Sequence, residues 1–262
     1  KKICTASNWP IIRTIISQRS EHIYGTNIKW SLYDKGENQL WELVPLGISG
    51  CDTVSGVYKF GGDVNKIPVL TNNDKAFVAR YLNEAIGARD GLTVSEAKAI
   101  SNAGMYMVSL YEDQPLTANA SHFTASKGTT DVSNAVTLAT ALGQPSNTPI
   151  YFCVDCWVDS GDYQSYVANY VRAINSWLDS SANNPKGYQM GLYGSPALCA
   201  GAKEDYPNCY TFLANAWATT GTFTDWDIKQ SLPTTISYNG SSLSVDPNVS
   251  ADRYFGQWQI FN

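Results

Sequence analysis

Histidine is nearly absent from this chain: there are two, His22 and His122, far apart in the sequence and with no partner at metal-ligand spacing. That scarcity predicts no zinc centre, and no cofactor is expected. Runs of Lys and Arg are missing too. With 18 basic against 23 acidic residues, a net charge of -5 and a pI near 5.0, the chain has no footprint for neutralising phosphates, so nucleic acid is not an expected partner. Long apolar runs are equally lacking. The longest near the start, Trp9 to Ile16, is interrupted by Arg13, too short to span a bilayer and unlike an intact signal peptide. Gly61-Gly62 alone is a turn and not a phosphate cradle. Gly191 to Ser195 lacks the form of a nucleophile elbow, because Ser195 precedes Pro196.

What is present is 262 residues, 44% apolar, with 12% aromatic content and a mean hydropathy of -0.23, enough to bury a full core. Tyr, Asn and Ser are plentiful, and N-x-S/T triplets occur at Asn119, Asn239 and Asn248, as suits a secreted or cell-surface protein. The six cysteines are an even number, compatible with disulfides. Cys199 and Cys209 flank a polar segment that reads as a loop a disulfide would staple. Cys153 and Cys156 have C-x-x-C spacing but follow a strand-like run, which argues for a structural role over a redox one.

Residues 1–47 carry three of the eight tryptophans without a clean period and read as an N-terminal extension or accessory segment. From residue 48 to 262, short apolar runs ending in a polar residue alternate with helical patterns. The expected strands are Ile48–Asp52, Phe77–Leu82, Met105–Tyr111, Ile150–Asp155, Gln189–Tyr193, Phe212–Trp217, Asp227–Gln230 and Leu243–Asp246. The expected helices are Thr93–Ala103, with a T-x-x-E capping box and Gly104 as its stop, Val132–Leu142 with Asp131 as cap and Gly143 as stop, and a third after Asp162. Little helical pattern follows residue 189. About eight strands with an incomplete helical shell predict an irregular TIM-type (β/α) barrel, with a doubly wound open sheet as the alternative.

Active sites of such barrels lie at the C-terminal ends of the strands. The residues there are Asp52, Glu112, Asp155 and Asp246, the candidate catalytic carboxylates. Arg80, Tyr81, Trp157, Tyr193, Trp217 and Gln230 are candidates for holding substrate. Paired carboxylates serve glycoside hydrolysis: one protonates the leaving oxygen, while the other is nucleophile, base or stabiliser of an oxocarbenium-like transition state. Aromatic rings pack against the C–H faces of sugars. Each acid taken singly is as well explained as a cap or ion pair; the set is not. The same carboxylates are also oxygen ligands of the kind a divalent cation takes, although no metal is expected.

The stretches GCD (50–52), FVARYL (77–82), LTVSEAKAISNAGM (92–105), LGQPSNTPIYFCVD (142–155), GLYGS (191–195), NAW (215–217), VDPN (245–248) and FGQWQ (255–259) occur in an order that resembles a known family. It is the glycoside-hydrolase-like family of secreted bacterial proteins, related to Chalaropsis-type lysozymes. The resemblance implies an irregular barrel acting on peptidoglycan-type or other extracellular polysaccharide. By position it matches Asp52 to the acid of the first strand, Asp155 to the first acid of a D-x-E motif, and Asp246 to the acid of the last strand. Here the chain departs from the lysozymes, since Trp157 stands where the motif's glutamate would donate the proton. Glu112 is then the candidate donor. The expected function is therefore a lysozyme-like glycoside hydrolase, with a non-catalytic glycan-binding module on the same barrel as the alternative. An adhesive role for residues 1–47 is a third reading. A monomer without a membrane span is expected.

Overall fold

The computed structural model describes residues 30–34, 41–45, 53–84, 90–252 and 254–260. A two-stranded antiparallel hairpin, β1 (Trp30–Asp34) and β2 (Trp41–Pro45), belongs to a compact unit of residues 1–52. Residues 53–262 form a second unit, which holds the barrel.

The barrel strands are β3 (Ser55–Tyr58), β4 (Phe77–Tyr81), β5 (Tyr106–Tyr111), β6 (Pro149–Cys153), β7 (Gln189–Gly194), β8 (Tyr210–Leu213) and β9 (Ile228–Gln230), each parallel to the next. The ring is closed by β11 (Ser241–Ser250), which pairs antiparallel with both β9 and β3. A further strand, β10 (Thr234–Tyr238), forms a hairpin with β11 outside the ring. The expected irregular TIM-type barrel is the fold.

Most of the shell comes early. Helix α1 (Ile67–Thr71) follows β3, α2 (Val94–Asn102) follows β4, and α3 (Ala125–Leu142) follows β5. After β6 comes α4, built of Ser160–Asp162, a π-helical stretch Tyr163–Val167, and Ala168–Leu178. After β7 comes α5 (Pro196–Asp205). Only a 3-10 turn, Ala218–Thr220, follows β8, and the β10 hairpin follows β9.

Several local expectations need correcting. Helix α3 begins seven residues earlier than its apolar pattern, with the Thr124 side chain accepting from Lys127 N. Asp131 is therefore no cap but a buried mid-helix residue that accepts from Tyr170 Oη at 2.9 Å. Thr93 caps α2 as expected, yet Glu96 does not complete the box; its carboxylate turns to Arg80. The segment after Cys199 is no loop. Ser195 caps α5 and Pro196 opens it, an N-terminal signature that the polar run of Lys, Glu and Asp conceals. Cys199 and Cys209 are both free, buried thiols, so the structure does not support the expected staple. Among the described residues the first barrel strand is Ser55–Tyr58; the expected strand Ile48–Asp52 falls outside the described residues.

Two apolar cores result from the pleat of the ring. Phe77, Ala79, Tyr81, Val108, Leu110, Tyr151, Cys153, Tyr193, Phe212 and Ile228 fill the barrel, while Val78, Met107, Ile150, Phe152 and Leu192 pack outward on the helices. The C-terminal segment seals the end opposite the mouth. Tyr151 Oη donates to Phe255 O at 2.6 Å, Phe255 packs on Phe77, and Trp258 Nε1 donates to Ser109 Oγ at 2.9 Å.

Candidate active site at the barrel mouth

Side chains two apart on a strand share a face, so the inward parity of each strand can be followed upward past its last hydrogen bond. On β5 the inward residues Val108 and Leu110 lead to Glu112; on β6, Tyr151 and Cys153 lead to Asp155. Ile228 leads to Gln230 on β9, and Asp246 lies beside Tyr58 across the β11–β3 pairing. Tyr58 and Tyr81 end their own strands on the same face, and Tyr193 lies one residue before the end of β7. The sequence repeats a buried apolar residue at every second position and then places a polar one at the top.

The contacts fit this placement. The Gln230 side-chain oxygen accepts from Tyr193 Oη at 3.3 Å and from Asn215 N at 3.0 Å, and its amide nitrogen donates to Asp246 Oδ2 at 3.4 Å. Lys59 Nζ, following β3, lies 3.0 Å from the same Asp246 oxygen. Trp217 Nε1 donates to Asp155 Oδ1 at 2.8 Å. The main chain of Asp155 is fixed by Gln114, whose amide donates to Asp155 O at 3.0 Å while its oxygen accepts from Asp155 N. Asn83 does the same for Glu112, donating to its carbonyl at 2.7 Å and accepting from its N–H.

Below these groups three tyrosine rings form a floor. Tyr58 stacks on Tyr193 at 6.1 Å and meets Tyr81 edge-on at 5.6 Å. The Tyr193 phenol is pushed well above its usual range by burial, by the charge of Asp155, by nearby Cys153 and by the charge of Glu112, partly offset by its bond to Gln230. It stays protonated and is a donor. The two carboxylates thus act on one hydroxyl, which ties β5, β6 and β7 into one electrostatic unit. Among the described residues, the acids are spread round the mouth, and no group of three or more His, Cys, Asp and Glu side chains could hold a metal ion.

Of the anticipated residues, Glu112, Asp155, Asp246, Tyr81, Tyr193, Trp217 and Gln230 are brought to this mouth, and Asp52 lies outside the described residues. Trp157 sits on the loop after β6 with half its surface exposed, 49%. Arg80 is not at the mouth. One residue before Tyr81, it has the opposite parity, and its guanidinium is locked outside the barrel by Glu96 at 2.6 and 3.1 Å and by Asp90 O at 3.0 Å. Asn248, a triplet asparagine, is 2% exposed within the barrel and closed to glycosylation in the folded chain. Sequence reasoning missed Tyr58, Lys59, Asn83, Gln114 and Asn248. For Asn248 the signal was the alternation Asp246, Asn248, Ser250; for Asn83 and Gln114, which hold main chain, there was none.

The fold and its ring of strand-end carboxylates define a glycoside-hydrolase-like barrel. The chain belongs to the Rv2525c-like, glycoside hydrolase-like domain family, whose model matches residues 69–250. It is 29% identical over 224 residues to the uncharacterized protein YbfG of Bacillus subtilis (strain 168), covering 79% of this chain but spanning only 29% of that relative's length. Among solved structures it is similar to the Mycobacterium tuberculosis Tat-secreted protein Rv2525c in complex with HEPES, at 20% identity and TM-score 0.64, covering 79% of this chain and 98% of that one. An uncharacterized Bacillus stearothermophilus protein matches at 19% identity and TM-score 0.55, covering 76% of this chain and 97% of that one. The modular autolysin LytC of Streptococcus pneumoniae matches at 13% and 0.50, covering 85% of this chain and 52% of that one. At such identities these likenesses establish the fold. Among the described residues, no helix is long and apolar enough to cross a membrane.

Proposed function

We propose that the barrel mouth acts on a cell-wall or other extracellular polysaccharide as a lysozyme-like glycoside hydrolase, with Glu112 as proton donor and Asp155 as the second carboxylate. The observation that carries this reading is the shared inward parity of Glu112, Asp155 and Asp246 above a floor of tyrosines. Glu112 is buried, 5% exposed, at the top of β5. Asp155 is held by a neutral indole N–H, which steadies a carboxylate without cancelling its charge. In the reaction the Glu112 proton passes to the glycosidic oxygen as the C–O bond breaks; water supplies the hydroxyl to the sugar carbon, and the proton it loses is taken up by the carboxyl pair, which returns to its starting state. A separation of about 5 to 5.5 Å between the two carboxyl groups goes with retention, and about 6.5 to 9.5 Å with inversion.

A secreted or cell-surface location accords with the Tat-secreted mycobacterial relative. Trp157 favours a second reading. It stands where the lysozyme D-x-E motif has its glutamate, and a half-exposed indole is a sugar-binding surface, not an acid. The barrel would then recognise glycan without cutting it.

One experiment separates the two. Defined muropeptides and chitooligosaccharides are digested with the protein and with Glu112→Gln, and products are read by mass spectrometry. Cleavage lost in the variant supports hydrolysis by Glu112; cleavage unchanged removes Glu112 as the acid. Binding without cleavage by either protein leaves the recognition reading.

A further inference from the structure

On the inward face of β11 three polar atoms are buried without a hydrogen-bond partner among the described residues: Asp246 Oδ1, Asn248 Oδ1 and Asn248 Nδ2. Asp246 is 5% exposed and Asn248 2%. Two apart on one strand, they point to the same side of the sheet. Asn248 lies across from Gly56 on β3 and Gln230 on β9, and Asp246 across from Tyr58. A buried amide that makes no bond at either end costs stability, so natural barrels keep such a residue only where something polar meets it.

The inventory of atoms identifies what that is. The site offers two acceptors, a carboxylate oxygen and an amide oxygen, and one donor group, the Asn248 amide NH2 with its two N–H. An anion would be repelled by Asp246. A cation has little to gain, because Lys59 Nζ already neutralises the carboxylate from above at 3.0 Å, and it would leave the Asn248 donor unmet. A carbonyl would leave both acceptors unmet. A neutral hydroxyl both donates and accepts.

From this geometry we infer that Asp246 and Asn248 together form a subsite for one neutral hydroxyl, occupied by a water in the free protein and by a sugar hydroxyl when glycan is bound. Asn248 is thereby a specificity-determining residue of the mouth. The bound-state half rests on the glycan reading proposed above; the free-state half does not. The subsite also assigns the two Asp246 oxygens different tasks. Oδ2 is engaged by Lys59 and Gln230, leaving Oδ1 to the ligand.

The test is a high-resolution crystal structure of the full chain, free and soaked with chitooligosaccharide, together with Asn248→Leu, a substitution of similar volume. Expected in the free protein is an oxygen peak within hydrogen-bond distance of Asp246 Oδ1 and of the Asn248 amide, lost in Asn248→Leu. In the soak the peak is replaced by a sugar hydroxyl, and Asn248→Leu binds glycan about tenfold or more weakly, as expected when a buried polar partner goes unmet. The subsite is overturned if the free protein holds no oxygen there, or if Asp246 and Asn248 bond directly to each other. A retained water with sugar bound elsewhere overturns the sugar-hydroxyl half alone. Failure of any glycan to bind, with the peak present, instead removes the functional reading and leaves the water site. Should Asn248→Leu misfold, Asn248→Ser is expected to keep the oxygen and most of the affinity, and its failure to do so counts against the subsite.

Discussion

Trp217 donates its indole N–H to Asp155 Oδ1 at 2.8 Å, joining the loop after β8 to the top of β6. Hydrogen bonds to a charged acceptor contribute about 1.5 to 3 kcal/mol, and this one holds the carboxylate that we propose acts with Glu112. Trp217→Phe keeps an aromatic ring and deletes only the donor. If Asp155 acts in the chemical step, kcat falls by about ten- to a hundredfold while KM changes little. Steady-state kinetics on a soluble glycan checks the split; a raised KM with unchanged kcat would make Trp217 a sugar contact only.

Arg80 illustrates a different balance. Its side chain and that of Glu96 are both almost fully buried between β4 and α2, where an unpaired charge is costly. Arg80→Met is therefore expected to destabilise the fold by about 3 to 5 kcal/mol while leaving the affinity of the folded fraction for glycan intact. Glu96→Met alone should cost a similar amount, and the double variant less than the sum, because neither partner is then stranded. Urea denaturation of the four proteins measures this, and additive losses would deny the coupling.

Much of the barrel was legible in the sequence because buried parallel strands are nearly continuous apolar runs ending in something polar. Phe77, Tyr106, Ile150 and Gln189 each begin or lie within strands where they were expected. The same continuity hid the parity of β4: Phe-Val-Ala-Arg-Tyr is buried on both faces, so nothing in its pattern assigned Arg80 to the outside. Counting from the polar ends would have done so. Helix α3 was half hidden because its first turn, Ala-Ser-Lys-Gly-Thr-Thr, offers few apolar residues to set a period, and tertiary packing on α4 supplies what local propensity does not. Trp217 was placed on a strand that ends at Leu213; it reaches the mouth from a loop, where no periodic rule applies.

Asp131 predicts a pH dependence. Its carboxyl is raised above the ordinary 3.8 by burial, against the opposing pull of Lys127 and the Tyr170 hydroxyl. Because the folded state holds this proton more tightly than the unfolded chain does, the group adds stability that is full below 3.8 and is lost as pH rises through its raised value. Asp131→Asn removes the titration. Melting temperatures followed between roughly pH 4 and 7 should fall more steeply with rising pH in the parent than in the variant. Asp227, also raised by burial, contributes with the same sign in both proteins, so the difference between the two curves isolates Asp131. Parallel curves would refute the assignment.

Gly128 offers a test in which two effects of opposite sign compete. It sits on α3 facing α4, where a Cβ would lie 2.6 Å from the Tyr170 carbonyl oxygen and 3.2 Å from Ala173 Cβ. In an open helix, Gly→Ala would stabilise by about 1 kcal/mol through backbone entropy. Here the obstacle is main chain and cannot rotate aside, so α3 and α4 must part, and with them the bond from Tyr170 Oη to Asp131 at 2.9 Å. Overpacking of this kind costs about 1 to 3 kcal/mol, which exceeds the propensity gain in most of that range. Gly128→Ala is therefore expected to lower the denaturation midpoint, whereas Thr129→Ala, at the next and exposed position of the same helix, should leave it nearly unchanged or raise it. A stabilised Gly128→Ala variant would mean that the two helices do not approach this closely.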